Sequence, residues 1–138
     1  MDHFLDHLLD PQYLGLKSYF KLLAPLDGFD DDILAHLRKQ EYLDADDTLE
    51  GSSRDIRNRL VETNFVNWDN NQAVFIVDPA IQAPLSKWMQ ENNKELWNQI
   101  CGAMVDYFEQ LIEKAEGMTD VFDYFKGRHD YYKSKKVS

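Results

Sequence analysis

Few side chains in this sequence stand at spacings that chemistry would use. His3 and His7 are four residues apart with Asp6 between them, so they would share one helix face as a two-ligand metal pair. No third ligand is identifiable, and two imidazoles on a fraying terminal helix hold a metal poorly; the expectation is exposed helix residues. Asp30, Asp31 and Asp32 place three carboxylates in a row, without the alternating oxygen ligands and turn glycine of a calcium loop. Consecutive carboxylates instead suit the positive end of a helix dipole. His36 lies beside Leu37 on an apolar helix and His129 near the C-terminus, neither within a recognisable Ser, Cys or carboxylate constellation. None of the 6 glycines belongs to a GxxxxGK[ST] phosphate loop. The expectation is therefore a protein that is not an enzyme and holds no metal or cofactor.

Recognition is better served than catalysis. Arg54 and Asn58 are four residues apart, and Arg with guanine and Asn with adenine are favoured pairings in the major groove. They belong to a helix announced by Ser52 and Ser53, with Asp55 three residues after Ser52 as in a capping box, and with Ile56 and Leu60 turned inward. The opposite face presents Arg54, Asp55, Asn58 and Glu62, a sum of -1, with Arg57 and Arg59 on the flanks. Even three phosphate contacts from these arginines would give a salt slope of only about -2.7, well below that of a strong DNA binder. The period then changes from helix to strand. Residues 65 to 68 and 73 to 77 are β-branched and aromatic, and Asp69, Asn70, Asn71 and Gln72 between them tolerate turn conformations. This hairpin carries Trp68 and Asn70 as candidate contact residues.

The remaining elements follow from apolar spacing. Phe4, Leu5, Leu8 and Leu9 make a short first helix; Asp10 and Pro11 restart the chain into a helix through about Ala24 that buries Leu16, Tyr19, Phe20 and Leu23. Asp27, Gly28 and Phe29 form a tight connection to a helix with Ile33, Leu34 and Leu37, and an acidic loop from Asp44 to Glu50 leads to the helix and hairpin above. Asp78 and Pro79 open the next helix, with Ile81, Leu85, Trp88 and Met89 inward and Pro84 as a kink or restart. Asn92 and Asn93 separate it from the longest periodic stretch, Leu96 to Leu111, which ends near Gly117. Thr119 caps a last helix with Val121, Phe122 and Phe125, and Gly127 opens a basic tail, RHDYYKSKKVS, read as a solvated terminus. The expected divisions are a winged-helix domain over residues 1 to 92 including the N-terminal helix, a helical extension over 93 to 125 packed on it, and the tail from 126 to 138.

With 138 residues the chain suits one domain with a hydrophobic core. The net charge of -10 is uneven: residues 1 to 50 carry -8, residues 51 to 125 carry -6 and residues 126 to 138 carry +4. Such an acidic body repels nucleic acid and anionic membrane at long range and favours basic or neutral partners. The single Cys101, near Ile100 and Met104, excludes an internal disulfide and reads as a buried thiol in a reducing compartment. No apolar run reaches the length of a membrane span and the first residues lack the plan of a signal peptide, so the expected location is the cytoplasm.

The order helix, helix, helix, hairpin, helix is that of a winged helix-turn-helix domain. Residues 13 to 112 resemble the winged-helix domain that follows the ATPase module in STAND-type signalling NTPases. The residues that carry the likeness are YFKLLAPLDGFDDDILAHL, then IRNRLVETNFVNWDNNQAVFIVDPAIQAPLSKW, and CGAMVDYFEQL in a long helix similar to the family's arm helix. In that family a His heads the helix after the wing and contacts nucleotide phosphate; Asp78 stands in the matching place, where a carboxylate repels phosphate, so nucleotide sensing is not implied. The resemblance implies a mainly α fold with a small hairpin, a winged-helix core plus C-terminal helices. It also implies a regulatory or scaffolding role through contact with a protein partner or neighbouring domain, for which the outer helix face (Arg54, Asn58) and the hairpin (Trp68, Asn70) are the expected surface. The alternative is an acidic winged-helix DNA-binding transcriptional regulator.

Overall fold

A computed structural model describes residues 2–40, 42 and 51–137. The acidic loop expected from Asp44 to Glu50 lies outside the described residues, as does the side chain of His3. The chain is mainly helical with one two-stranded antiparallel sheet, in the order α1 (Asp2–Leu8), α2 (Lys17–Leu23), α3 (Asp31–Arg38), α4 (Ser53–Glu62), β1 (Val66–Asp69), β2 (Val74–Val77), α5 (Pro79–Asn92), α6 (Lys94–Lys114) and α7 (Thr119–Ser134).

Local chemistry explains most boundaries. Ser52 accepts from the Asp55 amide while Asp55 accepts from the Ser52 amide, so the capping box that opens α4 is complete. Asp30 caps α3 through the Ile33 amide at 2.8 Å, and Asp78 caps α5 through the Ala80 amide at 2.9 Å with Pro79 in the first turn. Asn93 caps α6 through the Leu96 amide. The helix α4 ends on Asn64 in the left-handed region (φ 67), a residue type that tolerates it.

The structure departs from the expected pattern in several places; Thr119 is the first residue of α7 and not its cap, and Met118 before it makes no side-chain cap hydrogen bond. Asp10 makes no side-chain cap, and Pro11–Leu16 forms a 3₁₀ segment, so only Lys17–Leu23 of the expected helix is α. Pro84 neither ends nor restarts a helix: α5 runs through it to Asn92, with Ile81, Leu85 and Met89 buried on either side. Most consequential is the C-terminus. Gly127 does not open a solvated tail; α7 continues across it to Ser134, and residues 135 to 137 dock on α6. Trp97 Nε1 donates to the Lys135 carbonyl at 2.8 Å, and the Asn98 side chain exchanges two hydrogen bonds with the Val137 backbone, both at 2.8 Å. An internal glycine costs a helix only about 1 kcal/mol, which burial of Tyr132 offsets.

One contiguous core joins all the helices. Tyr19, Phe20, Phe29, Trp97 and Tyr132 are each less than 2% exposed. The long α6 lies against α3, α5 and, over the greatest extent, α7. The hairpin is fixed to this body by backbone as well as side chain: Phe29, in the connection between α2 and α3, exchanges hydrogen bonds of 2.9 and 2.8 Å with Phe75 of β2. That approach requires Gly28, where a Cβ would stand 2.5 Å from Val74 Cγ2. Among the described residues, no helix is long and apolar enough to cross a membrane.

Candidate functional site

The α4 helix turns Ile56 and Leu60, both fully buried, into the core, and its outer face therefore carries Arg54 and Asn58 to solvent. Arg38 supports the start of the helix by donating to Ser53 Oγ (3.2 Å) and to the Gly51 carbonyl (3.0 Å). Among the described residues, Arg54 and Asn58 make no side-chain hydrogen bond or ion pair. Arg57, three residues further on, behaves differently. Its Nε and Nη2 bind the two carboxylate oxygens of Asp31 at 3.0 and 3.1 Å, and its guanidinium lies 4.8 Å from the centre of the Phe75 ring. That arginine is spent on joining α3, α4 and the hairpin.

On the hairpin, the register pairs Trp68 with Phe75 across the strands. Their rings meet edge to face at 4.9 Å, and Phe75 in turn touches Phe29 at 5.8 Å. Trp68 Nε1 donates to Asn70 Oδ1 at 2.7 Å, so the indole is fixed on both its face and its edge while remaining 50% exposed. The Asp69 carboxylate accepts from the Asn71 amide and its carbonyl from the Ala73 amide, which closes the turn with Ala73 at φ 55.

Of the four residues expected to make contacts, Trp68 and Asn70 are therefore directly bonded, and Arg54 and Asn58 share a face one helical turn apart. No hydrogen bond or ion pair joins one pair to the other. The connection runs through Arg57 and Phe75, which sequence reasoning left on a flank and in a strand. The charge-paired spacing from Asp31 to Arg57 spans 26 residues, too far for any local pattern to expose it.

A second polar centre lies where α7 meets the α2–α3 connection. Tyr132 donates its hydroxyl proton to Asp27 Oδ1 at 2.6 Å, and Arg128 Nη1 binds Asp27 Oδ2 at 2.6 Å. The Arg128 guanidinium lies 4.4 Å from the centre of the Tyr131 ring, and its buried Nε has no hydrogen-bond partner among the described residues. Burial, then the negative charge of Asp27, raise the Tyr132 pKa far above the phenol range, so the hydroxyl stays a proton donor. A signal for this centre was present: residues 122, 125, 129 and 132 keep helical spacing across Gly127.

The titratable groups singled out for chemistry have ordinary partners. Asp6 pairs with Lys17 at 3.0 Å and His7 is exposed. His36 Nε2 meets the Ala103 carbonyl at 3.0 Å and its ring tilts against Tyr107. His129 bridges Asp130 (3.0 Å) and Glu109 (3.1 Å), which raise its pKa. Cys101 is fully buried, and burial pushes its thiol up to about 11. Among the described residues, no three His, Cys, Asp or Glu side chains converge as metal ligands would. Comparison with protein-family models, with curated proteins and with solved structures finds no match to the chain.

Proposed function

We propose that this protein is a winged-helix module that works without catalysis, as a regulatory or scaffolding element that packs against a partner protein or neighbouring domain. The observation that carries the reading is Trp68, half exposed yet held by Phe75 and Asn70. A fixed aromatic anchor loses little side-chain freedom on binding, and such residues dominate protein interfaces. Support for the winged-helix description comes from α2, α3 and α4 in succession, followed by a hairpin docked on the α2–α3 connection through Phe29 and Phe75. The likeness to the domain that follows the ATPase module in STAND-type NTPases supports a place in such a signalling protein or a small relative of one.

The mechanism is an interface equilibrium. Arg54 and Asn58 with Trp68 and Asn70 hold the partner in one orientation until a stimulus favours another. An anchor worth about 2 kcal/mol changes such a population roughly 30-fold. Placing a photo-crosslinking amino acid at the exposed position 71, beside Trp68, tests this by trapping the partner directly. Arg54→Glu with Asn58→Glu should reduce that capture at least tenfold without loss of fold; undiminished capture would show that α4 is not part of the interface. DNA regulation is the competing outcome, since Arg54 and Asn58 are also suited to base edges. Anisotropy of a labelled duplex at low and at physiological salt decides it, because binding that falls steeply with salt replaces the protein-partner reading with that one.

A further inference from the structure

A cleft of about 270 Å³ opens between the start of α3, the wing and the α6–α7 pair. Four aromatic side chains line it in an unbroken row. Tyr107 meets Phe108 at 5.2 Å, Phe108 meets Phe125 at 6.2 Å, and Phe125 meets Tyr124 at 5.8 Å. Asp30 and Asp32 also line it, and among the described residues no lysine, arginine or histidine does. Asp31, between them, is the carboxylate neutralised by Arg57. Asp30 uses one oxygen on the Ile33 amide, and Asp32 is exposed without a cation among the described residues. The two carboxylates act on the cleft: burial and then their negative charge push the Tyr107 hydroxyl up to about 12.

Immediately alongside, the same kind of environment is already filled. Asp27, Tyr131 and Tyr132 hold the guanidinium of Arg128 by carboxylate and ring faces together. The two cavities share Ile33, Val74, Phe108 and Tyr124. One carboxylate-and-ring set thus holds a cation from the chain, and its neighbour holds none. Val121, three residues before Tyr124 on α7, and Met118, just before that helix, are 41% and 60% exposed, an apolar area more than a single amine would cover.

We propose that this cleft docks a segment of a partner protein that inserts a lysine or arginine side chain between Asp32 and the Tyr107–Tyr124 rings and lays adjacent apolar side chains over Val121 and Met118. The ammonium or guanidinium would meet carboxylate and ring quadrupole together, an attraction that strengthens as water is excluded. The site is separate from Arg54, Asn58, Trp68 and Asn70 and does not depend on them.

The test is a titration of the full isotope-labelled chain, followed through its amide spectrum, with a ten-residue amidated peptide carrying two lysines beside leucines in a serine background. A twin with norleucine in place of lysine keeps the length and apolarity and removes the charge. The lysine peptide should shift the amides of Asp32, Tyr107 and Tyr124 saturably and bind at least about threefold more tightly than its twin. Asp32→Asn should erase that difference, Tyr124→Ala should weaken both peptides, and Arg54→Glu should change neither. Because Asp32 and Tyr124 are exposed, both variants should keep the wild-type spectrum elsewhere, and Asp32→Lys provides a second reading of the same charge. Equal binding of the twins, shifts spread over the acidic surface instead of the cleft, or an unaffected lysine preference in Asp32→Asn would each overturn the proposal.

Discussion

The two ends of α7 place similar side chains in opposite conditions. At its C-terminal end, Asp27, Arg128, Tyr131 and Tyr132 form a closed set in which the carboxylate has its cation and its hydroxyl donor. Near its N-terminal end, Asp30 and Asp32 face Tyr107, Phe108, Tyr124 and Phe125, and among the described residues no basic side chain lines the cleft. The first region spends its charge on holding the fold together, since Asp27 and Tyr132 are 105 residues apart and their bond ties the α2–α3 connection to the C-terminus. The second leaves its charge available. The same contrast occurs within α4, where Arg57 is bound to Asp31 and Arg54, one turn away, is not. Local sequence is much alike in each pair; the difference lies in what the fold brings opposite.

Substitutions at the closed end should cost the most. Tyr132→Ala removes a buried aromatic ring and should destabilise by about 3–5 kcal/mol, read as an earlier midpoint in urea. Tyr132→Phe keeps the ring and removes only the proton given to Asp27, so about 1–2 kcal/mol is expected. If the two variants were equally unstable, the hydroxyl and not the ring would hold α7 in place.

Gly28 lies between the two regions and lines the same cavity as Asp27, Arg128 and Tyr132. Gly28→Ala forces a methyl against the stiff β-branched Val74, and should cost about 1–3 kcal/mol in thermal or urea unfolding. Gly28→Ala with Val74→Ala should recover most of that loss. Failure to recover would move the cause from side-chain crowding to the backbone pairing of Phe29 with Phe75.

A smaller effect is expected from pH. Hydrogen bonds that His129 donates to Asp130 and then Glu109 raise its folded-state pKa, so its contribution is fully present below the ordinary histidine value near 6.5 and is lost as pH rises through the raised value. Asp130 shows the converse: its bond with His129 lowers its pKa, and its contribution is present above the ordinary carboxylate range and lost as pH falls through the lowered value. The melting-temperature gap between the wild type and His129→Gln should therefore be widest near about pH 5–6 and narrow in alkaline solution. A gap independent of pH would mean that His129 acts by packing alone.

At the open end, Asp32→Asn and Tyr124→Ala should change stability by no more than about 0.5 kcal/mol, because both side chains are exposed and Asp32 has no cation to lose. A loss of 2 kcal/mol or more in either variant would place these residues with the closed end, as supports of the fold.

Much of the local architecture was legible from residue types. The Ser52–Asp55 capping box, the Asp78–Pro79 start of α5, the break between α5 and α6 at Asn92 and Asn93 and the burial of Ile56 and Leu60 all depend on neighbours within one or two turns. The hairpin was legible for the same reason, within a residue of its observed ends. The C-terminal half of α7 was missed, although residues 122, 125, 129 and 132 keep helical spacing. Gly127 reads locally as a break, and five basic residues read as a solvated terminus, whereas Trp97, Asn98 and Asp27 supply partners that local pattern does not reveal. Trp68 and Asn70 were candidates by position, but the bond between them came from the geometry of the turn.

The sequence by itself determined a mainly helical protein with a small hairpin, its acidic balance and the inward face of α3, α4 and α6, because periodicity, caps and charge are properties of short stretches. Only the tertiary structure decided which charges are neutralised and which remain open. Arg57 finds Asp31 across 26 residues and Arg128 finds Asp27 across the length of the fold, while Asp32 and Arg54 find no such partner among the described residues. The physical reason is range: a cap or an apolar stripe is satisfied within a few residues, whereas an ion pair or a ring contact acts only once packing has brought distant segments within a few ångströms.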